Sequence, residues 1–554
     1  MSKISYKYIL LGAITFAFVI RFVGIKYGLP LWLIGDEPPF TLAALKMIEL
    51  KNLLPVLNST AFEPTLYFPP YLSYIYLVPF IMLLGIKYLL FSGGMDLFKN
   101  YVVSDLSHFF ILARIIGVIF GTASVWLTYE TAKNIFKKEW VALFSAFFLA
   151  TSTLHIYLSS VARDWVPAVF LFVLVMWILS SPHLSFKRKY LWGAVISGFT
   201  FGISVISAFS MLFMLFWYLF YEKNNFFRVF KEKSLYISLL IFLVLSSISV
   251  AVYPFGFHLS AGDGNSLLTD KSFVEYFSSF VGFLKPIFIS EPILMVFATV
   301  GAVFSFKNFR NYFWTGIIFI FSYITIYYIA FWYEQRFTIY LFLILSIFAG
   351  YGLYIIGKKI PNKTIAKVFI VIVLLIPFVT SIRLEWLILR NDSRIQAIEW
   401  VEANINAGSK ILLYAEMTRI ASTKEAYEEQ KLIDPNSLRK IAEAEISFDK
   451  NPHGYIQFHA LNLNDVENDN FYKNLVEYTQ TNNYEYLILD PFYRIDEIKK
   501  KSFGGIIKNS VFIKSFSQSQ EKYLLRDGNF GSPVGLFRLK SFGPRIEVYK
   551  INHD

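Results

Sequence analysis

Long apolar runs alternate with short basic stretches from the N-terminus to about residue 383. A helix of roughly 20 apolar residues can cross a bilayer. The Lys and Arg residues cluster as Lys3 and Lys7; Lys133, Lys137 and Lys138; Lys187, Arg188 and Lys189; Lys223, Arg228, Lys231 and Lys233; Lys307 and Arg310; Lys358, Lys359, Lys363 and Lys367. All fall on one side if the spans are about 8–24, 108–130, 140–160, 165–182, 191–204, 207–221, 235–255, 291–306, 312–332, 337–357 and 368–383. Loops rich in Lys and Arg stay cytoplasmic. The pattern therefore predicts eleven spans and an outside C-terminus.

Two segments test this arrangement. "LWGAVISGFTFGISVISAFSMLFMLFWYLF" is short for two spans, but basic loops flank both ends, so the number of crossings is even. It predicts two short helices turning near Ser204–Ser207. "YLSYIYLVPFIMLLGIKYLLF" (71–91) has the hydropathy of a span, yet counting it would invert every later loop. It is placed in or along the outer leaflet, inside a long first outer loop of about 25–107.

The pattern changes after Arg383. "NDSRIQAIEWVEANINAGSKILLYAE" predicts an amphipathic helix, a turn at Ala407–Gly408 and a strand. Further strands are predicted at 484–490, 534–540 and 545–551. The chain thus divides into a membrane domain, 1–383, and a soluble extracytoplasmic α/β domain, 384–554. No internal repeat or low-complexity segment is present.

Composition agrees. Charged residues are 17% of the 554, and 55% are hydrophobic, against about 25% charged in soluble proteins. The net charge of +12 reports cytoplasmic loops and anionic headgroups rather than nucleic acid. With no cysteine, disulfides and thiol chemistry are excluded. Lys3 and Lys7 precede the first apolar run with no small-residue cleavage site after it, which predicts a retained span. The seven histidines show no zinc-ligand spacing, so no metal site is expected.

Span centres are nearly free of charge. Arg21, Arg114, Arg163, Asp164, Glu334 and Arg336 fall near the outer ends of spans, on the same side as Asp36 and Glu37 of "GDEPPF". Charge at the membrane is costly and marks candidate function. Transporters place polar groups near the midplane instead. Several arginines at one face can hold a phosphate or pyrophosphate headgroup through bidentate hydrogen bonds, and a nearby carboxylate can accept a proton from a hydroxyl. Structural alternatives stay open. Asp36 can cap a helix beginning at Pro38; Arg163–Asp164 can be an ion pair closing a hairpin; Arg21 and Arg114 can snorkel to headgroups. "NLNDVENDN" (462–470) reads as a solvated acidic loop, and "GDGNS" (262–266) as an ordinary loop without the strand–helix context of a phosphate cradle.

The chain resembles the GT-C superfamily of polyprenyl-phosphate-dependent glycosyltransferases, in the branch of protein O-mannosyltransferases and lipid A aminoarabinose transferases. The matching stretches are "GDEPPF", "YFPPYLSYIYL", "LARIIGVIFGTASVWLTYETAKNIF", "LHIYLSSVARDWVPAVFLFVLVMW", "EQRFTIYLFLILSIFAGYGL" and the C-terminal "NDSRIQAIEWVEANINAGSKIL" and "FGPRIEVYKI". Phe68 stands where the family often has His, and the usual Lys after the fifth span is absent from "GISVISAFSMLF". The resemblance implies a polytopic α-helical GT-C fold. It implies Asp36 as catalytic base supported by Glu37, with Arg114, Arg163 and Arg336 as donor-phosphate-binding residues and Asp164 and Glu334 supporting them. The implied reaction moves one sugar, with inversion, from a polyprenyl-phosphate donor to an acceptor hydroxyl of unspecified class on the outer face, without a cofactor. A polyprenyl-glycan flippase or transporter and an en bloc glycan transferase are the alternatives.

Overall fold

The computed structural model describes residues 3–553 apart from 35–36, 63–64, 67–68, 223–230, 254–272, 331–334, 493–494 and 517–531; within 416–469 it describes only 418, 420, 423–425 and 428. Asp36, Glu334, the 262–266 loop and residues 462–469 therefore lie outside the described residues.

Among the described residues six helices are long and apolar enough to cross a membrane: Tyr6–Val23, Tyr71–Leu89, Ser107–Phe136, Lys233–Ala251, Gln335–Lys359 and the helix beginning at Lys363. Two bent pairs raise this to eight, and Trp165–Ser180 and Val205–Tyr221 are shorter apolar helices. This is a polytopic α-helical membrane fold. This count of six to eight stands below the eleven spans read from the sequence. Tyr71–Leu89 qualifies as a span by length and composition. It buries Leu72, Ser73, Tyr76, Leu77 and Phe80 on one face, and the Ser73 hydroxyl donates to Phe40 O at 3.0 Å. Val78, Ile81, Met82 and Ile86 are exposed on its other side. The 191–221 stretch forms two short helices, Phe186–Phe201 and Phe209–Phe216, with the turn at 202–204 leading into a 3-10 turn, Val205–Ala208.

A broken helix in a membrane exposes backbone groups that lipid cannot satisfy. The pair Glu139–Thr151 and Thr153–Ser159 bends by 62° at Ser152. Arg21 supplies the missing donors for the first piece, reaching Leu149 O at 3.1 Å and Ala150 O at 3.2 Å. Glu291 supplies the acceptor for the second, taking hydrogen bonds from Thr153 N at 2.6 Å and from the Ser152 and Thr153 hydroxyls at 2.9 Å. Glu291 itself sits at the other break, a 120° bend before Pro292.

Every residue from Ile339 to Leu353 is buried, so this helix forms the centre of the bundle. Small residues let its neighbours approach closely. A Cβ on Gly301 would lie 1.8 Å from Phe348 O, and one on Gly352 would lie 2.1 Å from Phe297 O.

The C-terminal part contains a four-stranded sheet of β1 (Ile411–Tyr414), β2 (Tyr486–Leu489), β3 (Ser510–Phe516) and β4 (Ile546–Ile551), in the order β1-β2-β4-β3. β1 and β2 are parallel, while β4 is antiparallel to β2 and β3. Alternate residues of β1, β2 and β4 enter two separate apolar clusters, one with Ala397 and Val401, the other with Leu475, Phe503 and Ile506. Burial on both faces explains why the β1 and β2 sequences are continuous apolar runs. The strand expected at 534–540 is instead a short helix, Pro533–Arg538. Its start is set by Pro533 in the first turn and by the Ser532 hydroxyl, which accepts from Gly535 N at 3.1 Å. Strand β3 was not singled out by the sequence pattern, because Val511, Phe512 and Ile513 are consecutive exposed apolar residues rather than alternating ones. Leu536, Leu539 and Phe542 join the core of the membrane part. Arg383 fixes them there by donating to Leu536 O at 3.2 Å and Leu539 O at 2.5 Å.

Candidate functional site

The helix Pro38–Leu50 starts with proline, and Glu37 is its N-cap residue, yet the Glu37 side chain makes no cap hydrogen bond. Its carboxylate turns instead to Arg114, on the helix Ser107–Phe136. Arg114 Nε meets Oε1 at 2.8 Å and Nη2 meets Oε2 at 2.5 Å, a two-pronged pair that fixes both distance and plane. Arg114 Nη1 also donates to Ile25 O at 2.7 Å and Tyr27 O at 2.8 Å. Both side chains are fully buried. Arg114 therefore neither snorkels nor leaves its fork free. With these hydrogen bonds inside the protein, its guanidinium faces Glu37 and the first loop.

Glu37 reaches a third element. Its Oε1 accepts from Ala162 N at 2.7 Å. Ala162 lies in the turn between Thr153–Ser159 and Trp165–Ser180, the turn that carries Arg163 and Asp164. Both are 4% exposed. The Arg163 guanidinium lies 5.7 Å from the Trp165 ring centre, and that of Arg336 lies 6.0 Å from the same ring. Arg336 comes from a distant part of the chain, the 3-10 turn Gln335–Thr338 that opens the central helix. That turn is held by the Tyr323 hydroxyl, which donates to Phe337 O at 2.6 Å, and by Gln335 Nε2, which donates to the Ser290 hydroxyl at 2.9 Å. Trp165 packs on Phe337 with ring centres 5.1 Å apart. Asp164 sits within the fields of Arg163 and Arg336 and beside Ser204.

The fold thus gathers Glu37, Arg114, Arg163, Asp164 and Arg336 around one turn. Asp36 directly precedes Glu37, and Glu334 lies two residues before Arg336, both outside the described residues. Arg21 is placed elsewhere: it is fully buried at the Ser152 bend, with Nη2 also 2.9 Å from His155 Nδ1. Sequence reasoning did not find Tyr76, whose hydroxyl lies in the fields of Glu37 and Asp164, or Glu291. Tyr76 carried no signal within an apolar helix; Glu291 had one, an acid directly before a proline inside an apolar stretch.

Such an arrangement offers cationic groups and an aromatic wall to an anionic headgroup, beside a stretch that holds two adjacent carboxyl groups. Among the described residues no cluster of metal-ligating side chains occurs.

Residues 102–252 match the model of the family described as dolichyl-phosphate-mannose-protein mannosyltransferase. The matched part includes Arg114, Arg163 and Asp164 and agrees with the resemblance drawn from the sequence. No curated protein sequence matches the chain. Among solved structures, ArnT from Cupriavidus metallidurans bound to undecaprenyl phosphate is similar at 10% identity, covering 99% of this chain and 98% of that one, with a TM-score of 0.46. The Archaeoglobus fulgidus oligosaccharyltransferase tethered with an acceptor peptide has 13% identity over 88% of this chain and 69% of that one, with a TM-score of 0.39. The arabinofuranosyltransferase AftD from Mycobacteria has 12% identity over 100% of this chain and 40% of that one, with a TM-score of 0.43. At such identities and scores the structural likenesses carry no argument about what this chain does.

Proposed function

We propose that this chain, whose residues 102–252 match the family described as dolichyl-phosphate-mannose-protein mannosyltransferase, is a membrane glycosyltransferase. It moves a single sugar from a polyprenyl-phosphate donor to an acceptor hydroxyl on the outer face. Asp36 takes the hydroxyl proton as the acceptor oxygen bonds to the anomeric carbon. The bond from that carbon to the phosphate oxygen breaks, polyprenyl phosphate leaves, and the sugar configuration inverts. Arg163 and Arg336 bind the phosphate and stabilise the charge that develops on it. Arg114 holds Glu37, and Glu37 in turn holds the first loop against the turn that carries Arg163.

The observation that carries this reading is the meeting of Arg163 and Arg336 at Trp165, with Arg163 directly after the Ala162 amide that Glu37 binds. Glu37, Arg163 and Arg336 thereby meet from three separate parts of the chain.

The test is a transfer assay in proteoliposomes, with the donor polyprenyl-phosphate sugar presented from one face only. Release of polyprenyl phosphate together with a glycosylated acceptor is expected. Movement of intact donor across the bilayer without release would instead identify a flippase.

A further inference from the structure

Tyr27 and Asp392 are 365 residues apart in sequence, and the Tyr27 hydroxyl donates to Asp392 Oδ2 at 2.5 Å. Asp392 is fully buried and Tyr27 is 8% exposed. Asp392 opens the helix Ser393–Asn404 of the C-terminal part, its Oδ1 accepting from Arg394 N at 3.0 Å. The Arg394 side chain grips the same carboxylate through Nε at 2.8 Å and Nη2 at 3.0 Å. Burial works against this charge, but Arg394 and the Tyr27 hydroxyl hold the Asp392 carboxyl below its ordinary pKa. Ser393 locks the helix start in place, its amide donating to Phe542 O at 2.9 Å and its hydroxyl to Pro544 O at 2.6 Å.

The other end of Tyr27 reaches the site. Its carbonyl accepts from Arg114 Nη1 at 2.8 Å, and Arg114 grips Glu37. A single residue therefore joins the start of the C-terminal domain to the pair that fixes the first loop. We propose that Tyr27 and Asp392 are positioning residues, and that the C-terminal domain sets the placement of the first loop through Arg394, Asp392, Tyr27, Arg114 and Glu37. The catalytic consequence rests on the function proposed above.

Tyr27→Phe is the informative variant. It keeps the ring, which meets Phe542 edge-on at 6.5 Å, and leaves Asp392 paired with Arg394. The full chain in proteoliposomes is expected to keep its thermal stability and its affinity for polyprenyl phosphate. Its kcat is expected to fall about ten- to a hundredfold, the scale of a small misplacement of catalytic groups. Amide exchange at Tyr27 and Leu33, which bond Gly24 O and Gly28 O, is expected to quicken. Asp392→Ala removes the same phenol bond together with the Arg394 pair and the helix cap, so it is expected to lower thermal stability as well; adding Tyr27→Phe to it is expected to change kcat no further, because the bond they share is already gone. Asp392→Asn recovers part of kcat, since its amide oxygen still accepts from the phenol. Wild-type kcat together with wild-type exchange in Tyr27→Phe would overturn the proposal. If the wild-type chain transfers no sugar, the glycosyltransferase reading fails, and exchange alone decides: quicker exchange upholds positioning and unchanged exchange rejects it.

Discussion

Arg114 and Glu37 form a fully buried pair with Nε–Oε1 at 2.8 Å and Nη2–Oε2 at 2.5 Å. Removing one partner of such a pair leaves an uncompensated buried charge, at a cost of about 3–5 kcal/mol. Glu37→Gln and Arg114→Ala are therefore expected to lower the thermal unfolding temperature sharply. Arg114→Lys recovers little, because an ammonium lacks the planar fork. Were Arg114→Lys as stable as wild type but defective in donor binding, Arg114 would be a phosphate ligand instead of a scaffold.

Arg336→Ala is expected to weaken polyprenyl-phosphate binding by about 2–5 kcal/mol if its contact is desolvated, with Arg163→Ala acting in the same direction. Titration of the purified protein with the lipid measures this. Unchanged donor affinity alongside reduced stability in Arg163→Ala would assign that residue to structure.

Asp36→Asn keeps the size of the side chain and loses the proton acceptor. Turnover is expected to fall about 10²–10⁴-fold while donor binding persists. Because the N-cap position belongs to Glu37, little loss of helix stability is expected. Near-normal turnover in a folded Asp36→Asn protein would pass the role of base to another group.

A side chain at Gly301 meets backbone rather than a flexible side chain, with Phe348 O at 1.8 Å from an added Cβ. Gly301→Val must push two helices apart, and overpacking of this kind costs about 1–3 kcal/mol or more. Loss of folded protein in detergent is the expected readout, and a wild-type melting curve would contradict the packing described.

The orientation is open to single cysteines, since the chain contains none. A cysteine at Asn265 is expected to react with an impermeant reagent in sealed cells, and one at Lys359 is not. The reverse pattern would invert the whole arrangement.

Periodicity and loop charge made the membrane helices, the helix at 393–404 and three of the four strands legible, because each follows from where apolar side chains must go. The clustering of Arg163 and Arg336 was legible only as charges near span ends. Their common wall, Trp165, depends on how two distant helices pack. The partners of Arg114 were not legible, since nothing in one sequence tells a buried fork from a snorkelling one. The Tyr27–Asp392 contact was hidden for the same reason: it joins residues 365 apart, a separation that carries no local signal. At 533–538 the apolar alternation was misleading, and Ser532 and Pro533 set a helix start instead.

The central helix has protein on all sides from Ile339 to Leu353. Moving an apolar side chain from lipid to protein changes its surroundings little in polarity, so close fit is what favours the assembled state. Mutational tolerance therefore divides by shape rather than by chemistry. Exchanges among Leu, Ile, Val and Phe that pass unnoticed on the lipid-facing side of Lys233–Ala251 become selective at 339–353. Variation in size along this one helix, more than in hydropathy, sets the limits within which related chains can diverge and still assemble.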